Sequence, residues 1–178
     1  TEKAFESVKL LGVKGVGWHS FYNCYRLASI EMPKVETISG YAFYKCYSRL
    51  KKIETPQLKV LGESAFDACS SLETVKMPQV QLIGDYAFSE CSKLKTIEIP
   101  QVKSISSYVF YACNSLENLE IPQVKTIGKG AFNNCQRLKT IDISNVEKIG
   151  EKAFEACANL KKIVIPDTAT EIGKKAFI

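Results

Sequence analysis

The chain is poor in the residues that carry chemistry. Its 178 residues hold one histidine, His19, beside one tryptophan, Trp18. A lone imidazole with no acid or nucleophile beside it provides neither a catalytic triad nor a metal site, so an enzymatic activity has no positive support and no cofactor is implied. No two glycines are adjacent, which leaves no loop able to cradle a phosphate. No apolar run approaches the roughly 20 residues of a membrane-spanning helix, which argues against membrane insertion. The pattern Asn-x-Ser/Thr does not occur, against heavy glycosylation. The 24 basic and 19 acidic residues are dispersed, with lysine doublets only at Lys51-Lys52, Lys161-Lys162 and Lys174-Lys175. A nucleic-acid partner would require a concentrated basic stripe, and none is present. Linkers and low-complexity stretches are also missing, so residues 1–178 read as one domain.

What the chain has instead is periodicity. Its phenylalanines are Phe5, Phe21, Phe43, Phe66, Phe88, Phe110, Phe132, Phe154 and Phe177, 22 or 23 residues apart from Phe43 onward. The cysteines follow three residues behind, from Cys24 to Cys157, and the prolines Pro33, Pro56, Pro78, Pro100, Pro122 and Pro166 keep the same step, with Ser144 the single break. A period in the twenties held by apolar positions is the signature of a solenoid of stacked units.

One unit, Ile83 to Ser104, reads I-G-x-x-A-F-x-x-C-x-x-L-x-x-I-x-I-P-x-V-x-x. Ala87, Phe88, Cys91 and Leu94 recur at three- to four-residue steps, which predicts a short helical turn, whereas Ile97 and Ile99 alternate with Glu98, which predicts a strand with one buried face. Proline ends that strand because it has no N–H to donate, and the glycine after the second isoleucine suits a tight turn. The fold class expected is thus an α/β repeat solenoid. A single unit leaves both its faces uncovered, so stability must come from stacking.

Departures from the pattern carry expectations of their own. One extra residue in Tyr47-Ser48-Arg49, between Cys46 and Leu50, should bulge outward without disturbing the core register, and another lies between Pro166 and Ile172. From Phe5 to Phe21 the spacing is 16, so residues 1–16 read as a truncated unit without its strand and proline, with Val8 and Leu11 in the cysteine and leucine columns. Residues 17–178 make about seven units of 22–23 residues, and an end in mid-unit at Phe177-Ile178 points to a longer array. The seven cysteines, odd in number and one per unit, read as small buried hydrophobes rather than a disulfide framework; zinc needs four converging ligands, which a row does not offer.

The Pro, Ile-Gly, Ala-Phe and Cys columns over residues 16 to 178 resemble the BspA-like, or TpLRR-type, leucine-rich repeat. That resemblance implies a curved solenoid with a parallel sheet on its concave face, carried by surface proteins that bind matrix proteins or other cells. It brings no catalytic residue with it.

Two surfaces are candidates for such binding. The exposed strand position runs Glu31, Glu54, Lys76, Glu98, Glu120, Asp142, Val164, and places the acids Glu98, Glu120 and Asp142 on consecutive units, with Gln101 and Gln123 close by after the prolines. The other surface is aromatic. All eight tyrosines lie outside the core columns, and five of them, with Trp18, fall in the first two full units, Tyr44 among them. Tyrosine and tryptophan favour binding hot spots, but they also serve to cover small neighbours. The function expected is a non-enzymatic module of a cell-surface or secreted adhesin, its partner an extracellular-matrix protein or a host or cell-surface protein or glycan. The alternatives are an intracellular, cytoplasmic scaffold, favoured by the free cysteines, and a binding domain attached to an enzyme. Oligomeric state is left open.

Overall fold

The computed structural model describes residues 5–178 and shows a parallel β-solenoid. Two strand series run along it. The first consists of β1 (Ser7–Lys9), β3 (Ser29–Glu31), β5 (Lys52–Glu54), β7 (Thr74–Lys76), β9 (Thr96–Glu98), β11 (Asn118–Leu119) and β13 (Thr140–Ile141). The second consists of β2 (Gly15–Val16), β4 (Thr37–Ile38), β6 (Val60–Leu61), β8 (Leu82–Ile83), β10 (Ser104–Ile105), β12 (Thr126–Ile127), β14 (Lys148–Ile149) and β15 (Glu171–Ile172). Pairing within each series joins residues one repeat apart, as in Ile53↔Val75↔Ile97 and Leu61↔Ile83. The Ile-Gly position, read from the sequence as a turn, thus supplies a second row of strands.

The helical turn expected around Ala-Phe does not form, and no helix occurs among the described residues. The α part of the α/β expectation is therefore corrected. In each rung from His19 to Ala156 two residues four apart take left-handed backbone angles, such as Tyr86 (φ 57°) and Glu90 (φ 55°) on either side of Ala87-Phe88. A right-handed helix cannot pass through them. They send alternate amides along the stack instead. The N–H groups of Tyr41, Phe43 and Lys45 donate to the carbonyls of Glu63, Ala65 and Asp67 in the next rung at 2.8, 2.8 and 2.9 Å. Between them Tyr44 and Cys46 donate to Tyr41 and Phe43 and close local turns. Consecutive turns thus reproduce the apolar spacing of a helix while their hydrogen bonds run between rungs.

Glycine in the Ile-Gly column answers to proximity rather than to turn geometry, because these glycines do not have positive φ. A Cβ on Gly62 would strike the backbone of Ser39 and Gly40, and one on Gly150 that of Gly128 and Lys129. From Gly62 onward each glycine amide of this column donates to the rung before, as Gly84 does to Leu61 and Gly128 to Ile105. At Ser106 the side chain takes over: its Oγ donates to the Ile83 carbonyl at 2.6 Å, and the second strand series divides between β8 and β10.

The core is built of columns. Phe21, Phe43, Phe66, Phe88, Phe110, Phe132, Phe154 and Phe177 form one continuous stack with ring centroids 4.9 to 5.9 Å apart and planes 1° to 16° from parallel. Phe5 is not part of it and is exposed. Val8 pairs with Ile30 in the first strand series, and Leu11 is exposed. The first unit thus keeps its strands and lacks the Ala-Phe segment, the reverse of the expected truncation; hydrogen bonds between strands, not the spacing of Phe5, set its register. The extra residue at Tyr47-Ser48-Arg49 behaves as expected, since all three are exposed while Cys46 and Leu50 stay fully buried.

One core position is out of character. Thr55 stands in the column of Met32, Met77 and Ile99, fully buried, and its Oγ1 has no hydrogen-bond partner among the described residues. A buried, unpaired hydroxyl lowers stability. Thr55→Val keeps the shape and removes the hydroxyl, and should raise stability by about 1 kcal/mol in denaturant melts. In the same measurement Phe110→Ala, with rings above and below it, should lose about 3–5 kcal/mol. Phe177→Ala should lose clearly less, because that ring is 40% exposed and stacks on Phe154 alone.

Candidate functional site

The exterior of the strand series is largely neutralised by pairs between rungs. The alternating Lys/Glu column after the core leucines forms Lys95–Glu73 at 3.0 Å and Lys139–Glu117 at 2.7 Å. Those lysines hold the Glu73 and Glu117 carboxyls below the usual carboxylate range, through a hydrogen bond first and charge second. Beside them Thr96 donates to Thr74 at 3.4 Å, and Thr140 to Asn118 at 2.6 Å.

The five strand-side candidates border three depressions of the exterior, with Glu120 and Asp142 on neighbouring strands just past the Leu119↔Ile141 pair. Glu98 and Glu120 line a shallow cleft of about 280 Å³ with Thr96, Asn118, Pro100 and Pro122, where β9 and β11 are not paired. Asp142 faces a different cleft of about 680 Å³ with Lys139, Lys161 and Lys162. Its carboxylate accepts the Ser144 N–H at 2.9 Å, which holds its pKa down. Serine breaks the proline column at that point, and only a residue with an amide can close this turn. Gln101 and Gln123 line a third groove of about 410 Å³ at the corner between the two strand series, beside Ser106.

The aromatic candidates do come together. Trp18 lies 6.1 Å from Tyr41, His19 5.3 Å from Tyr41 and 5.5 Å from Tyr22, and Tyr44 5.3 Å from Tyr22 and 5.7 Å from Tyr41. The Tyr41 hydroxyl donates to Glu63 at 3.0 Å, and this bond raises its pKa. The indole rests on Gly40: a Cβ there would come within 2.5 Å of Trp18 Cζ3. Tyr108 covers Gly130 in the same way, so the reading that these rings cover small neighbours is part of the truth. Trp18 nevertheless stays 61% exposed. Further along this side, burial pushes the Asp67 carboxyl up to about 6, against hydrogen bonds from Ser89 and Ser64.

The cysteine row is more than apolar filling. Each thiol from Cys46 to Cys157 donates to the carbonyl of the phenylalanine one rung before, from Cys46 to Phe21 through Cys157 to Phe132, at 3.0 to 3.2 Å. Those carbonyls also accept the cysteine amide of their own rung, as Phe43 does from Cys46, so the thiol occupies a second lone pair that an alanine would leave empty. All seven are free thiols. Their burial also weakens the inference from free thiols to a reducing compartment.

A solenoid of stacked parallel strands, with one leucine and one Ala-Phe turn per rung, is a leucine-rich-repeat protein. The sequence matches the BspA type leucine rich repeat region, found in six copies, over residues 2–101 and 61–178, and the chain belongs to that family. Among solved structures, a leucine-rich repeat protein of Eubacterium ventriosum matches with TM-score 0.65 at 21% identity, over 97% of this chain and 42% of its own. A leucine rich cell surface protein of Faecalibacterium prausnitzii matches with TM-score 0.58 at 24% identity, over 95% and 59%. The T. pallidum leucine rich repeat protein matches with TM-score 0.57 at 27% identity, over 92% and 72%. The chain thus spans less than two thirds of the first two. No curated protein matches it.

The thiols generate a pH dependence. Burial raises Cys69, Cys91, Cys113 and Cys135 well above the ordinary thiol value, and Cys157 to about 11. Unfolding frees them to ionise near pH 9, so the unfolded state holds fewer protons above that pH. Their contribution is complete below the unfolded value and is lost as pH rises toward the folded one, by up to about 1.4 kcal/mol per thiol per pH unit. Denaturant midpoints should therefore fall steeply above pH 9, and Cys91→Ala should make that fall shallower. Thiol reagents should label the native protein slowly, Cys157 first, and label all seven cysteines at once in denaturant.

Proposed function

We propose that this chain is a non-enzymatic binding module, presented on a cell surface or secreted, that engages an extracellular-matrix or cell-surface partner through the exposed side of its solenoid. The observation that carries this is the joined aromatic surface of Trp18, His19, Tyr22, Tyr41 and Tyr44. It stands on an exterior otherwise dominated by Lys/Glu pairs, and no core column uses it. Rigid aromatic groups lose little conformational entropy on binding, and such clusters form hot spots. Family membership supports the same reading, since the BspA-like resemblance implies surface display. Contacts spread over several rungs add to the anchor, so affinity grows with the number of rungs engaged.

The acids Glu98, Glu120 and Asp142 with Gln101 and Gln123 are the second candidate surface, suited to a basic partner. The test is binding of the intact chain to immobilised matrix proteins and to cells. Trp18→Ala and Tyr44→Ala should each weaken binding about tenfold with the melting curve unchanged. Replacing Glu98, Glu120 and Asp142 together by Ser should leave binding and its salt dependence close to the parent's. The reverse pattern, normal binding without the rings and loss of salt-sensitive binding without the acids, moves the site to the strand side. Binding to neither class of target would sink the proposal.

A further inference from the structure

Next to the aromatic surface, and sharing Tyr22 with it, runs a groove of about 440 Å³ lined by Tyr22, Asn23, Lys45, Tyr47, Ser70 and Glu90. We infer that this groove holds a linear neutral oligosaccharide lying along the solenoid axis, an inference that rests on the binding-module reading above and specifies its partner.

The groove exists because the repeat is broken there. Cys46 and Leu50 are four residues apart where the other units have three, and the extra residue lifts Tyr47 to 44% exposure while the core columns on both sides stay buried. The raised segment is fixed from the following rung, for Ser70 Oγ donates to the Tyr47 carbonyl at 3.4 Å and Ser71 Oγ to the Ser48 carbonyl at 3.2 Å. A wall held in place in advance loses little entropy when a ligand arrives.

The floor decides what kind of ligand fits. Asn23, Lys45, Ala68 and Glu90 are the left-handed residues of four successive rungs, with φ of 56°, 61°, 57° and 55°. Their amides donate to the carbonyls of Tyr44, Asp67, Ser89 and Tyr111 at 2.8 to 2.9 Å. With those amides already bonded along the stack, an extended peptide finds no free ladder to join. Apolar surface is confined to two tyrosine rings and Ala68, so no aliphatic pocket exists for a peptide side chain. The charged side chains are one cation, Lys45, and one anion, Glu90, which favours neither an anionic nor a cationic chain.

What remains is a polar groove with two aromatic walls, and a sugar chain matches each part. Tyrosine rings take the C–H faces of pyranoses. The Asn23 amide gives and accepts hydrogen bonds, the Ser70 hydroxyl, its proton held by the Tyr47 carbonyl, accepts, Lys45 donates and Glu90 accepts, in answer to hydroxyls that do both. Four rungs at the spacing of paired strands span about 14 Å, the length of a few sugar rings rather than one.

The experiment titrates the intact chain with neutral tri- to hexasaccharides from glucan, mannan, xylan and chitin, followed by calorimetry and by amide chemical shifts. At least one series should bind saturably, with an affinity that rises up to the length filling the groove and hardly changes with salt. Tyr22→Ala and Tyr47→Ala should each weaken it about tenfold, with melting curves unchanged because both side chains are exposed. Leu82→Ala, an exposed change on the second strand series, should bind as the parent does. Failure of every neutral oligosaccharide to bind, or parent-like binding by the Tyr22→Ala/Tyr47→Ala double variant, overturns the inference. So does a strict preference for anionic polysaccharides that high salt abolishes. If matrix or cell binding persists while no saccharide binds, the groove assignment alone falls; if both are absent, the binding-module reading falls with it.

Discussion

Successive rungs of this protein approach one another as closely as paired strands, and they must do so on every side at once. Between the two strand series the Ala-Phe turns donate alternate amides to the next rung, from Tyr41 to Glu63 in one and Tyr108 to Lys129 in another. In the Ile-Gly column the backbones lie so near that a Cβ would collide. This closeness puts the phenylalanine rings in stacking contact and brings each thiol within reach of the preceding carbonyl. The core is therefore not an apolar mass enclosed by strands. It is a set of columns whose members meet because the backbone has already fixed the rise.

The same constraint shows where the array yields. Ser106 in the glycine column bonds to Ile83 through its side chain, and the second strand series divides there. Asp142 and Ser144 rebuild by hydrogen bond the corner that proline closes in the other full units. Thr55 places an unpaired hydroxyl in an apolar column, at a rung where β3 and β5 belong to separate sheets. These are local adjustments within a register that runs unbroken from Phe21 to Phe177.

The proposed binding surfaces lie where the solenoid does not dictate the residue. Core positions must be apolar, and the long charged columns settle into ion pairs between rungs, which leaves them little to offer a partner. The aromatic surface and the neighbouring groove lie at or beside the left-handed turn positions and at the one-residue insertion, where side chains are free to vary. Sequence and structure agree on Trp18 and Tyr44 as members of one surface. The pairing of Leu119 with Ile141 likewise keeps Glu120 beside Asp142, as a column count places them. What a column count does not show is the gap between unpaired β9 and β11 and the Asp142–Ser144 turn, because neither is a periodicity.

The sequence by itself determined the period, the solenoid, the buried columns of Phe, Cys and Leu, the alternation of the first strand series, and the outward bulge at Tyr47. Each follows from the spacing of apolar residues, which must face inward wherever the chain goes. Only the tertiary structure decided what joins those residues. Apolar steps of three and four fit a helix and a run of left-handed turns equally well, and the left-handed positions carry Tyr, Lys, Glu, Ser and Ala far more often than the Gly or Asn that would reveal them. The choice rests with hydrogen bonds to a neighbouring rung 22 residues away, and these also set the register of Val8 on Ile30 and turn the thiols toward the phenylalanine carbonyls. Spacing within one unit holds no information about a bond whose acceptor lies in the next.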